Sequence, residues 1–125
     1  MFERIGLGTF RVIPPRASGS GNLPVLDIEG FIAWANQIAD GNGLRATGFY
    51  ERQIASITEA FGNVAHVFST YETRFTASDL KPFERGINSI QLVRDGGRWW
   101  VVTIFWDIEG PEMPIPPRYL PRLAV

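Results

Sequence analysis

The sequence contains no cysteine and a single histidine, His66, among its 125 residues. Without thiols the chain has no disulfide, no thiolate nucleophile and no cysteine-ligated metal. One histidine also leaves too few nitrogen ligands for a typical transition-metal site. The glycines at residues 19–21 and 41–43 do not follow a strand and open a helix, as a phosphate-binding loop would. We therefore expect neither a metal nor a cofactor.

The sequence also lacks a long apolar run and an excess of charge of either sign. No stretch approaches the ~20 apolar residues that span a bilayer. The first residues, MFERIG, lack the apolar segment of a secretory signal. The net charge of −1 provides no general attraction to nucleic acid or anionic membrane. These absences predict a cytoplasmic protein that binds neither nucleic acid nor membrane.

What the chain does contain is apolar and aromatic: 45% hydrophobic residues, with 9 Phe, 4 Trp and 3 Tyr. A chain of this length predicts one domain over residues 1–125, large enough to bury roughly two-thirds of its extended surface. Five prolines between Gly110 and Pro121 predict that residues 110–125 form an extended tail over the surface.

One segment has a clear helical period. Asp27 is placed to cap its start, and Gly41-Asn42-Gly43 is suited to end it. The apolar positions fall at the spacing of one helix face: Ile28, Phe31, Ile32, Ala35, Ile38 and Ala39. The pattern therefore predicts a helix over residues 28–40.

Other segments favour strands. A short strand is predicted over residues 9–13, stopped by Pro14-Pro15. β-Branched and aromatic residues predict strands over residues 64–75, 85–94 and 98–108. The segment Phe49–Phe61 has a mixed period that, taken locally, favours a helix.

The last two strands form a predicted hairpin with a two-residue turn at residues 95–96, since Asp-Gly suits a type I′ turn. This turn places Asn88 opposite Thr103 on the face that packs on the helix. A turn at residues 96–97 would change the partners but not the faces.

In either register, the last strand is apolar on the face turned away from the helix. The residues on this outer face are Trp100, Val102, Ile104 and Trp106. They could expose on the order of 500 Å², about the largest apolar patch that a soluble monomer tolerates. One helix cannot cover both faces, so we predict a homodimer through the outer face. The alternative is that the tail and an N-terminal loop cover it.

A few polar residues are candidates for a pocket or for catalysis. Asn88 and Thr103 either bond each other on the inner face or face a ligand. His66 is a candidate for proton transfer, against the alternative of a structural or interface histidine. Tyr71 lies on the opposite strand face from His66. It is a candidate for lining the pocket, and the alternative is a core tyrosine. Asp107 is either a carboxylate at the edge of the pocket or a solvated strand end.

Three phrases carry a resemblance to a known family: FGNVAHVFSTYETRF, RGINSIQLVRDGGRWWVVTIFW and PIPPRYLP. Over residues 48–121 the chain resembles the nuclear transport factor 2-like (NTF2-like) superfamily, and more closely its bacterial SnoaL-like, polyketide-cyclase-like members. The resemblance implies an α+β cone, in which a curved antiparallel sheet packs on helix, and it makes Phe49–Phe61 a strand. Family members usually open with two helices, which this sequence lacks before its first strand.

The resemblance implies a pocket at the open end of the cone but does not settle the function, because the superfamily contains isomerases, dehydratases and cyclases beside non-catalytic modules. One hypothesis is a dimer that binds a small apolar ligand. The alternative is a cofactor-independent isomerase, dehydratase or cyclase that moves a proton; a pure assembly module is the third. In the steroid-isomerase branch a tyrosine polarises a carbonyl, a role that Tyr71 would take. A shifted titratable group near Tyr71, Asn88 and Thr103 would favour the enzyme.

Overall fold

The computed structural model describes residues 10–15, 23–41 and 48–122. The predicted loop at residues 16–22, residue Thr9 of the first strand and the helix stop at residues 42–43 lie outside these ranges. The elements in chain order are β1 (Arg11–Ile13), α1 (Ile28–Gly41), β2 (Tyr50–Phe61), β3 (Val64–Arg74), β4 (Glu84–Asp95), β5 (Arg98–Ile108) and a single-turn 3₁₀ helix (Pro117–Tyr119).

The strands form one sheet in the order β1-β5-β4-β3-β2. From β2 to β5 each strand pairs antiparallel with the next, and β1 joins the edge of β5 in parallel. The predicted α+β architecture of a sheet packed on a helix is confirmed, with the addition that β1 makes the sheet mixed. The strand predicted over Phe49–Phe61 is also confirmed.

The mixed period of β2 has a structural cause. Its pairing with β3 steps from Gln53 opposite Tyr71 to Ala55 opposite Thr70, which leaves Ile54 as an extra residue. A bulge of this kind breaks the alternation of faces, so the apolar residues on its two sides do not share one strand parity. The sequence pattern of β2 is therefore that of two short strands joined out of phase.

The hairpin between β4 and β5 turns one residue later than predicted. Asp95 lies opposite Arg98, so the turn residues are Gly96 and Gly97, with φ of 63° and 80°. A type I′ turn requires positive φ at both central positions, and two glycines meet that requirement without steric cost. The prediction of a turn at residues 95–96 is wrong for this reason.

A second bulge, at Val102, changes which residues of β5 share a face. The pairing steps from Leu92 opposite Val101 to Gln91 opposite Thr103. From Thr103 onward each residue of β5 therefore lies on the sheet face opposite to the one that simple alternation from Trp99 would predict. Asn88 consequently lies opposite Trp106, and the predicted Asn88–Thr103 pair is wrong.

Helix α1 packs beside β1 and β5, and we call the sheet face that it covers the inner face. The predicted cap is confirmed, because the Asp27 carboxylate accepts a hydrogen bond from the Gly30 amide at 2.8 Å. Edge-to-face ring contacts join the helix to the sheet, with the centroids of Phe31 and Trp34 at 6.4 and 5.8 Å from that of Trp106. These rings fix α1 over the β5 edge of the sheet.

The tail crosses part of the opposite, outer face. Its departure from β5 is fixed by Glu109, whose carboxylate accepts two hydrogen bonds from Arg85 at 2.8 and 3.0 Å and one from the Ile115 amide at 3.0 Å. Further along, the Thr70 hydroxyl donates to the Tyr119 carbonyl at 2.6 Å. The tail is thus folded over part of the outer face, beside Arg85 and over Thr70, whereas the N-terminal loop of the predicted alternative lies outside the described residues.

A buried carboxylate, Glu72, also lies on the outer face. Arg52 and Arg74 both donate hydrogen bonds to the same oxygen of Glu72, which is 8% exposed as a side chain. Burial alone would raise the pKa of Glu72, but the two guanidinium groups outweigh it and lower that pKa below its ordinary 4.5. The charged form of Glu72 therefore stabilises the folded chain.

We expect this carboxylate to contribute to unfolding in acid. A pKa that is lower in the folded state gives stability that is present above pH 4.5 and is lost as the pH falls through the lower folded value. In urea titrations from pH 7 to pH 3, Glu72→Gln should destabilise the protein at neutral pH and flatten its stability curve below pH 4.5. The exposed Glu112→Gln serves as control and should keep the wild-type curve; equal slopes in all three proteins would contradict the prediction.

Candidate functional site

The inner face changes character along the strands. Near the β4–β5 turn it carries apolar side chains, among them Val67, Ile90 and Leu92, which align across neighbouring strands. At the opposite end the aligned residues are polar, and we call these the inner polar cluster: Glu51, Gln53, Ser69, Tyr71, Thr73, Glu84 and Asn88. A ligand on this face would meet an apolar floor and a polar end.

Tyr71 is the centre of the inner polar cluster. Its side chain is buried, with 3% of the residue exposed, and its hydroxyl donates a hydrogen bond to Glu84 Oε2 at 3.0 Å. Gly86, directly across on β4, makes this geometry accessible, because a Cβ there would lie 2.6 Å from the Tyr71 hydroxyl oxygen. The ring therefore crosses β4 at its glycine to reach the carboxylate.

Neighbouring side chains extend the cluster onto β2. The Ser69 hydroxyl donates to the side-chain oxygen of Gln53 at 2.5 Å, and the Thr73 hydroxyl lies 3.4 Å from Glu51 Oε1. Both contacts depend on the bulge at Ile54, which turns Gln53 and Glu51 to the inner face opposite Tyr71 and Thr73.

The cluster shifts the ionisation of two groups. Burial, followed by the charge of Glu84, raises the pKa of Tyr71 well above its ordinary 10.0, so the hydroxyl stays protonated and acts as a donor. Burial also raises the pKa of Glu51, opposed by the Thr73 hydrogen bond and assisted by the charge of Glu84. Glu51 is therefore a carboxylate that takes up a proton more readily than an ordinary one.

The residues predicted for the site separate between the two faces. Tyr71 and Asn88 lie on the inner face, whereas Thr103 lies opposite Gln91 on the outer face. His66 is also on the outer face, where it pairs with the exposed Glu59 (Nε2 to Oε1, 2.8 Å).

Asp107 lies on the outer face as well, opposite Ile87, and it is exposed. One of its oxygens accepts a hydrogen bond from the Ile108 amide at 2.8 Å. This is the solvated strand end that was the alternative for Asp107. The structure thus brings together Tyr71 and Asn88 but neither His66, Thr103 nor Asp107.

The predicted interface residues separate in the same way. Trp100 lies opposite Val93 on the outer face, but Ile104 and Trp106 lie on the inner face and Val102 is the bulge residue. The prediction that all four share one outer face is wrong, because the bulge reverses the alternation between Trp100 and Ile104.

Sequence reasoning missed Glu51, Gln53 and Glu84. The first two lie in a segment of mixed period, before a bulge that no local signal marks. One signal was present: an isolated glycine inside a strand, here Gly86, often marks a close approach by another group. That group is the Tyr71 ring.

Within residues 10–15, 23–41 and 48–122, no three His, Asp or Glu side chains are grouped as ligands for a metal ion. In the same part of the chain, no helix has the length and apolarity needed to cross a membrane.

No protein-family model matches the sequence, and no curated protein matches it. Solved structures do resemble the fold. An NTF2-like protein of unknown function from Shewanella baltica OS155 superposes with a TM-score of 0.51 at 12% identity, over 86% of this chain and 74% of that one. A protein of unknown function with a cystatin-like fold from Nostoc punctiforme PCC 73102 gives 0.56 at 14% identity, over 86% and 76%.

These similarities define the class of protein: the chain has an NTF2-like, cystatin-like α+β fold. The fold that the resemblance implied is thereby confirmed. At 12–14% identity the likeness carries the architecture alone, so activity has to be argued from the site.

Proposed function

We propose that the protein binds a small molecule on the inner face of its sheet, as SnoaL-like domains do on theirs. The inner polar cluster holds the polar group of the ligand, and Val67, Ile90 and Leu92 hold its apolar part. The observation that carries the proposal is the buried Tyr71–Glu84 hydrogen bond with Glu51 nearby on the same face.

Partial burial of its carboxyl group, and to a smaller extent the charge of Glu84, raises the pKa of Glu51 against the opposing Thr73 hydrogen bond, although the residue as a whole is exposed. Apolar side chains of similar volume would stabilise a sheet face at least as well. Clusters of titratable groups with shifted pKa values are accordingly typical of functional sites.

The chemistry of the cluster favours a ligand that donates hydrogen bonds. The Tyr71 hydroxyl proton is already engaged by Glu84, which keeps a second carboxylate oxygen, and Glu51 and Gln53 supply further acceptors. A hydroxyl, amide or ammonium group meets this surplus of acceptors. The apolar floor selects a ligand with a hydrocarbon or aromatic body.

The raised pKa of Glu51 favours a second candidate function, a cofactor-independent isomerase, dehydratase or cyclase. A general base works best when its pKa lies near the working pH. In this candidate Glu51 accepts the substrate proton, and Tyr71 is a hydrogen-bond donor to a developing oxyanion after exchange of its bond with Glu84.

The proposal is tested by screening fragments that join a hydroxyl, amide or ammonium group to an apolar body, with amide and side-chain NMR shifts as the readout. We expect the hits to shift residues of the inner polar cluster. Tyr71→Phe combined with Glu84→Gln should weaken binding of the hits about tenfold or more, since the hydrogen bond that orients Glu84 and the negative charge of that acceptor are both lost. Tyr50→Phe, on an exposed residue of β2, should leave binding unchanged.

Hits confined to the outer face, or equal affinities in both variants, would contradict the proposal. The enzymatic candidate has its own outcome. Catalysis is supported if the wild type and Tyr50→Phe convert a fragment that Glu51→Gln binds but does not convert. If every variant binds the fragment and none converts it, only the ligand-binding function is supported.

A further inference from the structure

Strand β2 (Tyr50–Phe61) forms one edge of the sheet, and one side of its backbone is unpaired within the described residues. The sheet order ends at β2, which pairs with β3 and with no other described segment. Its 12 residues are all exposed except Ile54 and Ala55. Natural edge strands are often short or carry proline or lysine, which discourages pairing with a further strand. β2 is long and contains neither residue, so its edge can accept another strand.

The bulge at Ile54 does not protect this edge, because it makes the two halves of β2 complementary to each other. β2 of a second copy can pair antiparallel with it about a two-fold axis perpendicular to the sheet. The first four residues of one copy then lie opposite the last four of the other, in reverse order. The resulting pairs are Tyr50–Phe61, Glu51–Ala60, Arg52–Glu59 and Gln53–Thr58.

Each of these pairs shares a sheet face only because of the bulge. Opposed residues of two antiparallel strands carry their side chains on the same face. In an uninterrupted strand an even-numbered and an odd-numbered residue point to opposite faces, and each of the four pairs joins an even to an odd position. The extra residue Ile54 reverses the alternation between the two halves. The pairs on the inner face are then Glu51–Ala60 and Gln53–Thr58, and those on the outer face are Tyr50–Phe61 and Arg52–Glu59.

The charged pair continues a row of charges that already exists within each copy. Arg52 Nε lies 2.8 Å from Glu72 Oε1, and Glu59 Oε1 lies 2.8 Å from His66 Nε2. With Arg52 of one copy opposite Glu59 of the other, acidic and basic groups alternate across four strands: Glu72, Arg52, Glu59 and His66. Opposite charges in directly opposed positions stabilise a sheet and fix its register.

The aromatic pair lies at the two ends of the same edge. Tyr50 is 58% exposed and Phe61 is 86% exposed. Aromatic residues that are directly opposed on neighbouring strands stabilise a sheet. In the paired edge Tyr50 of each copy lies opposite Phe61 of the other, so that two rings that are open to solvent in the single chain cover each other.

We propose that two copies of this chain associate edge to edge through β2 in this register and join their five-stranded sheets into one of ten strands. The occupant of the edge is a second copy, because the match of face, charge and aromatic residues follows from the sequence of β2 alone. None of the four residues predicted for a homodimer interface lies in this joint, since all four belong to β5.

The inference does not rest on the proposed ligand binding, although the joint borders the inner polar cluster. In the paired edge, Thr58 of the other copy lies beside Gln53, and its Ala60 lies beside Glu51. The inner face of one copy is thereby continued by that of the other.

The test is the mass of the full chain by sedimentation equilibrium at protein concentrations between about 1 and 100 µM. We expect twice the 14.0 kDa chain mass for the wild type. Glu59→Arg places two cations opposite each other at both ends of the joint and should raise the dissociation constant about tenfold. Glu112→Arg is the matched control, because it changes the net charge equally, from −1 to +1, at an exposed position outside the strands; it should leave the constant unchanged.

Position 60 tests the register through the sign of the effect. Ala60 is exposed and lies opposite Glu51 of the other copy in the proposed register. Ala60→Lys should therefore lower the dissociation constant at least about threefold, and Ala60→Glu should raise it by a similar factor. Lysine on a strand edge ordinarily discourages pairing, so tighter association of the lysine variant is expected of this register and not of a generally adhesive edge.

Amide hydrogen exchange locates the joint on the backbone. Alternate amides of β2 point away from β3, and those in its two paired halves should be protected only at concentrations at which the dimer forms. Circular dichroism and thermal melting establish that each variant is folded. A wild type that stays monomeric at 100 µM overturns the proposal. A dimer with unprotected β2 amides, with equal constants for Glu59→Arg and Glu112→Arg, or with both variants at position 60 shifted in the same direction uses another surface and overturns it as well.

Discussion

Replacement of Gly86 by alanine is expected to lower the free energy of unfolding by about 3 kcal/mol, the upper end of the usual range for overpacking. A Cβ at this position would overlap the backbone oxygen of Asp107 and lie 2.6 and 2.8 Å from the hydroxyl oxygen and Cε1 of Tyr71. A backbone oxygen within a strand cannot move without breaking the β4–β5 pairing, and Tyr71 is buried, so the strain has no cheap release.

The matched control is Gly110→Ala. A Cβ at Gly110 meets nothing within 4 Å, so this variant should change stability by no more than about 0.5 kcal/mol. Urea unfolding of both variants, with the Tyr71 side-chain NMR signals as a local probe, measures the difference. If Gly86→Ala were as stable as Gly110→Ala, the close crossing of Tyr71 over β4 would be disproved, and with it the geometry of the inner polar cluster.

Trp106→Ala is expected to destabilise the folded chain by about 3 kcal/mol, because it removes the ring that Phe31 and Trp34 pack against. Without it, α1 loses its aromatic contact with the sheet. Trp106 is half-buried, which places the expected cost at the lower end of the range for core tryptophans.

Trp100→Ala provides the comparison, because Trp100 lies on the outer face, with Arg98 over its ring at 3.8 Å. We expect Trp106→Ala to lower the stability of the fold more than Trp100→Ala does, because Trp106 lies on the face that α1 covers and Trp100 on the opposite one. Chemical unfolding of both variants measures the difference. Equal losses of stability would show that the bulge at Val102 does not divide these residues.

A large part of the fold could be predicted from the sequence. The helix period and the cap at Asp27 predicted α1, and β-branched and aromatic residues predicted β3 to β5 within one or two residues. These signals are local, since the spacing of apolar residues along a chain reports the period of the element directly. The assignment of β2 as a strand required the family resemblance, because its own pattern is interrupted.

The candidate site could be predicted only in part. Tyr71 lies on the opposite strand face from His66, as predicted, because β3 alternates without interruption from Val64 to Arg74. Thr103 was placed on the wrong one, since the β5 stretch around it, Val101-Val102-Thr103-Ile104, shows no residue that marks a bulge. Glu51 and Glu84 were not considered, because nothing in their local sequence indicates that β2 and β4 bring them near one tyrosine.

The sequence by itself determined the elements, the absence of thiol chemistry and the presence of more apolar strand surface than one helix covers. Those properties follow from residue type and local spacing. Only the tertiary structure decided which side chains share a face, because one extra residue at Ile54 and one at Val102 reverse the faces, and a bulge is fixed by the pairing of two strands rather than by either strand alone. The bulge at Ile54 brings Glu51 and Gln53 into the inner polar cluster, and the bulge at Val102 turns Ile104 and Trp106 to the inner face.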